Sequence, residues 1–128
     1  MCSPGEDIMP QANNTDKPLY LAVYKLIIYL YSIVHNLPKE HKYRLGNDII
    51  DISWKTLDSI MYTNTLGNED KHIQIKKTLA IFNTLKYRLR VLSDLKLLSH
   101  RQYAHIIKQT VEINKMLRGW YNWSKKLV

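Results

Sequence analysis

Apolar residues recur along this chain at steps of three and four, and they do so in four separate runs. Tyr20, Val23, Ile27, Leu30, Val34 and Leu37 hold one face through successive turns. Leu45, Ile49, Ile52, Leu57 and Ile60 mark a second face, widened by Ile50, Trp54 and Met61. Ile75, Leu79, Phe82, Leu85, Leu89 and Leu92 make a third, and Tyr103, Ile106, Thr110, Ile113, Leu117 and Trp120 a fourth. A helix turns once in about 3.6 residues, so these steps keep the apolar side chains in a stripe that a neighbouring helix must cover.

The breaks between the runs carry helix-ending and helix-starting chemistry. Asp16 is the expected N-cap of the first helix, with Pro18 in its first turn and Pro38 as its stop. The second helix is expected from about Glu40 to Tyr62, with Gly46 inside it at a cost of about 1 kcal/mol relative to Ala. A glycine there points to close approach of another backbone. Gly67 is the expected stop before the third helix and Asn68 its cap, with Glu69 and Asp70 favouring the positive end of the dipole. That helix ends near Lys96, and Ser99 with Gln102 has the spacing of a capping box for the fourth. Connections this short favour antiparallel neighbours. The expectation is an all-α, up-down-up-down antiparallel four-helix bundle over residues 16–128, preceded by a disordered tail over residues 1–15 that Pro4, Gly5 and Pro10 interrupt.

Composition narrows this further. A chain of 128 residues has room for one core of ordinary size, and four Gly with four Pro is too little punctuation for an all-β fold. Cys2 is the sole cysteine, which rules out an internal disulfide or a thiolate metal cluster and fits a cytoplasmic location. The N-terminal residues lack the basic and then apolar order of a signal peptide. The segment Leu19 to Leu37 approaches the ~20 residues of a membrane span. Lys25 inside it costs roughly 2.5–3.5 kcal/mol near a bilayer centre, so a buried bundle helix is expected and no membrane partner.

The residue pattern gives no support for catalysis. The histidines (His35, His41, His72, His100 and His105) make no pair at helical spacing that would aim two rings at one metal, and no Glu-x-x-His pair of the di-iron kind occurs. There is no glycine-rich phosphate loop. Asp48 and Asp51 share a helix face, but Arg44 and Lys55 stand four residues away from them, the spacing of surface ion pairs. The expectation is a protein that is not an enzyme and takes no cofactor and no metal.

Charge is the stronger signal. The formal net charge is +8, of which residues 1–70 contribute −3 and residues 71–128 contribute +11. Arg101, Lys108 and Lys115 recur every seven residues on the fourth helix, with His105 and Arg118 beside the line. Lys76, Lys77, Lys86, Arg88, Arg90 and Lys96 leave the apolar stripe of the third. Clustered cations displace counterions from a polyanion, so nucleic acid or an acidic protein is the expected partner. The candidate contacts are Lys76, Lys77, Arg88, Arg90, Arg101, Lys108 and Lys115. Trp120 falls on the apolar seam and reads as core, whereas Tyr121 and Trp123 are more open to base stacking or subunit contact. Asp48, Asp51 and Asp58 give the second helix an acidic side that could meet a neighbour's basic side in a ring.

Two stretches carry a family resemblance. Lys42 to Ile49, KYRLGNDI, resembles the R-(Y/F)-x-L-G-x-x-I segment that opens the second helix of small bacterial and phage four-helix proteins. Val111 to Trp120, VEINKMLRGW, resembles their closing E-I-G-(R/K)-M-L-G-G-W segment, except that Asn114 and Arg118 stand where the family often has Gly. The family is that of the accessory variability determinant (Avd) proteins of diversity-generating retroelements, with a sister group encoded in ribosomal RNA intervening sequences. The resemblance implies a non-enzymatic bundle that assembles as a homopentameric ring. It also implies partnership with a reverse transcriptase and with template RNA and/or DNA in mutagenic cDNA synthesis. The alternative is a ribosomal-intervening-sequence type of bundle, or a general helical interaction module, with no part in reverse transcription.

Overall fold

The computed structural model describes residues 18–127, and these form four helices joined by short turns. α1 is Leu19–His35. α2 is built from three consecutive stretches, Lys39–His41, a π-helical turn Lys42–Gly46, and Asn47–Thr63. α3 is Asn68–Asp94 and α4 is His100–Lys125. α1 and α3 each pack against both α2 and α4, which gives the up-down-up-down bundle. The expected cap Asp16 and the tail lie outside the described residues. Pro18 stands at the cap position, in extended backbone, and its carbonyl accepts from the Leu21 and Ala22 amides.

The seams of α1 and α4 are mainly apolar. Leu19, Val23, Leu26, Ile27 and Leu30 of α1 meet Ile106, Ile113, Leu117 and Trp120 of α4 in one buried cluster. At about 25 cal/mol per Å² of apolar surface, burying each such side chain contributes about 1.5–3 kcal/mol. Among the described residues no helix is long and apolar enough to cross a membrane.

The α2–α3 seam differs in kind. Ser53, Thr56, Ser59 and Thr63 of α2 are buried, as is Thr78 of α3. Ser53, Thr56 and Thr63 donate to backbone carbonyls one turn back, at 2.7, 3.0 and 2.7 Å. Thr78 donates to the Gln74 carbonyl at 3.0 Å, its hydroxyl meets that of Ser59, and the Gln74 amide donates to the same Ser59 oxygen. The buried Lys71 ammonium donates to the Thr63 carbonyl at 3.0 Å and so closes the end of α2. Burial holds this lysine below its usual pKa range.

Three boundary expectations meet the structure differently. Gly67 stands at the N-cap of α3 in extended backbone, and Asn68 is the first helical residue and not the cap. α2 ends at Thr63, within a residue of the expected Tyr62, so Gly67 is not the residue that stops it. The left-handed residue that ends a helix is instead Lys96, with φ of 61°, after α3. Around it the Leu97 amide donates to the Leu92 carbonyl and the Lys96 amide to the Ser93 carbonyl, both at 2.9 Å. Those two bonds, with Leu92 and Leu97 as the flanking apolar pair, make a Schellman ending in which a lysine takes the place usual for glycine. The Ser99 capping box is formed in both directions, with Gln102 as its partner.

Gly46 ends the π-helical turn, and the approach it permits is to side chains. A Cβ there would stand 2.7 Å from Val34 Cγ1 and 3.5 Å from Leu37 Cδ1. Val34 is buried and stiff at χ1, so it cannot yield easily. Gly46→Ala is therefore expected to lower stability by about 1–2 kcal/mol despite the better helix propensity of alanine, measured by urea denaturation. Lys96→Gly should act the other way. Relief of the left-handed strain is expected to raise stability by roughly 0.5–1 kcal/mol in the same assay.

Candidate nucleic-acid interface

α4 stands as a ridge between two grooves. Its seam side chains point into the core, and its outward crest carries Arg101, Lys108 and Lys115, all exposed. On one flank the groove against α1 encloses about 1070 Å³. Lys108 and Lys115 line it together with Lys25 and His105, above a floor that includes Ala22, Tyr29 and Met116. The Tyr29 and His105 rings meet edge to face with centroids 4.5 Å apart, which fixes the imidazole against α1. Among the described residues that line this groove, Glu112 is the one carboxylate.

On the other flank a smaller groove of about 400 Å³ runs between α3 and α4. Lys86, Tyr87 and Arg90 of α3 face Tyr103 and Ile107 of α4 across it. Lys86 Nζ reaches Asn114 Oδ1 at 3.4 Å and lies 5.6 Å from the centre of the Phe82 ring. Burial, and then the Arg118 guanidinium, hold this ammonium below the usual lysine range. Asn114 and Arg118, the two departures from the resembled closing segment, thus both bear on Lys86.

The seven candidate contacts do not form a single face. Arg101, Lys108 and Lys115 share the α4 crest, and Arg90 lines the α3–α4 groove. Lys76 and Lys77 are exposed on the first half of α3 and line neither groove. Arg88 turns towards α2, where its Nε donates to Asp48 Oδ2 at 2.7 Å. Asp48 is therefore joined to α3 and not to Arg44, the partner that spacing within α2 predicts. The pair is half-exposed, so it ties the helices only weakly. Arg90 stands 3.7 Å from Asp94, both side chains well exposed.

Lys25 was hidden from sequence reasoning as an interruption of an apolar run, and helical spacing from Tyr29 and Ser32 is the signal that would have found it. Tyr87 left no periodic signal at all. The resembled stretch KYRLG coincides with the π-helical turn Lys42–Gly46. A family model described as bAvd-like matches residues 19–124.

The chain belongs to the bAvd-like family.

Avd-like proteins are an accessory, non-catalytic kind of protein, and membership supports an accessory role in a diversity-generating retroelement. The match spans all four helices of the Avd-like bundle, from the first residue of α1 nearly to the end of α4. Comparison with curated proteins and with solved structures returns no match.

The cross-helix pair gives a direct test. Arg88→Ala and Asp48→Ala are each expected to cost less than about 1 kcal/mol, and the double variant no more than the costlier single, in a denaturation cycle.

Proposed function

We propose that this Avd-like chain serves its retroelement by holding nucleic acid, and the reverse transcriptase that copies it, against the α4 crest. The observation that carries the reading is the alignment of Arg101, Lys108 and Lys115 on one outward line, with Lys25 of α1 added across the adjoining groove. Four cations on two rigid helices suit a phosphate backbone, whose binding is set by charge and spacing more than by sequence. The +11 balance of residues 71–128 supplies a longer-range attraction to the same side. The polymerase carries the chemistry, and this chain positions and retains.

A ring of copies, pentameric by family resemblance, belongs to the same proposal. The Asp48–Arg88 pair leaves Asp51 and Asp58 as the exposed aspartates of α2 that a neighbour's cations could meet. Tyr24, Ile28 and Tyr31 stay exposed on the outer side of α1, and Trp54 joins them through a 2.9 Å hydrogen bond to the Tyr31 hydroxyl. An exposed apolar patch of this kind is a usual site of association.

The test is an affinity capture of the tagged chain from its native lysate, with mass spectrometry and RNA sequencing of what returns. Recovery of a reverse transcriptase with one defined RNA is the expected result; unrelated proteins and mixed RNA would move the reading to the ribosomal-intervening-sequence type. With purified components, the combined Arg101→Glu, Lys108→Glu and Lys115→Glu variant is expected to lose RNA binding at physiological salt while its helical circular dichroism is unchanged. Retention of binding by that variant would place the interface elsewhere.

A further inference from the structure

We infer that the α3–α4 groove is a subsite for one unpaired base of a single-stranded nucleic acid, with Tyr87 as its stacking platform. The inference rests on the proposed binding to the α4 crest and specifies how a strand would lie across it. Tyr87 is 68% exposed in the last third of the long helix α3, the highest value among the exposed large apolar side chains of the described residues. Nothing in the packing of the bundle requires a ring there. It lies along a groove whose floor includes the buried Leu89 and Ile106, with the Tyr103 ring opposite and Asn83 at the edge.

Charge decides what such a platform would hold. Lys86 and Arg90 line the groove beside Tyr87, and no carboxylate lines it among the described residues. Arg90 is engaged only by Asp94, at 3.7 Å and with both side chains about two-thirds exposed, an arrangement a phosphate would readily displace. Aromatic rings between cations are what single strands use, because every base has a face to stack and every linkage a charge. A duplex, whose bases are already stacked within it, has no base to offer. An acidic peptide would use the cations and leave the ring without a partner.

Geometry links this groove to the crest. Ile107 lines the α3–α4 groove and the next residue, Lys108, lines the α1–α4 groove. A strand crossing α4 at that point would set a phosphate on Lys108 while its neighbouring base drops beside Tyr87. At about 400 Å³ the groove has room for a base with its sugar.

The experiment uses the full chain and a short unpaired RNA carrying 2-aminopurine at successive positions, read by anisotropy for binding and by fluorescence quenching for stacking. The wild-type chain is expected to bind and to quench at least one position. Tyr87→Ala should weaken binding about tenfold and abolish the quenching, whereas Tyr87→Phe should keep both. An abasic site at the quenched position should weaken the wild type by a similar factor and the Tyr87→Ala variant hardly at all. Binding by the wild type with quenching unchanged in Tyr87→Ala would overturn the subsite and leave the crest proposal standing. A wild type that binds the same RNA as a duplex equally well would also overturn it. Failure of the wild type to bind any RNA, with capture of a reverse transcriptase intact, would remove both the subsite and the nucleic-acid half of the proposed function.

Discussion

Burial of the α4 seam against α1 and α3 is the constraint from which the rest of the molecule follows. Once Ile106, Thr110, Ile113, Leu117 and Trp120 face inward, the rotation of α4 about its axis is fixed, and with it the direction of every cation on that helix. The heptad spacing of Arg101, Lys108 and Lys115 then keeps all three on the outward side, on a line that drifts by only about 20° per seven residues. The same rotation leaves a furrow on either flank, because residues beside the seam are only half-covered by the neighbouring helices. Core and cationic crest are thus two consequences of one helical period.

Charge and burial divide the labour between the two halves of the bundle. α1 supplies much of the apolar interior and offers the groove a single cation, Lys25. α3 and α4 bear most of the positive charge, and they tolerate it because their like charges lie on outward faces in water, where repulsion between them is screened. Where a cation comes closer in, the structure answers individually: Lys71 meets a carbonyl, Lys86 an amide oxygen and a ring, Arg88 a carboxylate.

The fold was legible where apolar residues alone define a face. Tyr20 to Leu37 and Tyr103 to Trp120 step so regularly that both helices, their orientation and their buried sides follow from the spacing. The α2–α3 seam was illegible for the opposite reason, since Ser53, Thr56, Ser59, Thr63 and Thr78 read as polar until their hydroxyls are seen bonded inside. Periodicity within one helix also misassigned Asp48. Arg44 is four residues away and Arg88 is forty, and only the packing of α3 on α2 brings the distant one closer. The cationic crest could be read from the heptad of Arg101, Lys108 and Lys115. The scatter of Lys76, Lys77 and Arg88 away from it could not, because which flank of α3 meets α2 is a tertiary fact.

The hydroxyl seam has a consequence for how the bundle is held together. Leucine seams are forgiving: a helix can slide by a turn and still find methyl groups to touch. The Ser59 hydroxyl is not, because a shift of one turn between α2 and α3 would part it from Thr78 and Gln74, its partners on α3, at a cost of about 1–3 kcal/mol. The α2–α3 pair therefore has a single vertical alignment written into its own interior, like a keyed joint. The turn of residues 64–67 need not impose that alignment, and a change in its length could leave the two helices at the same height.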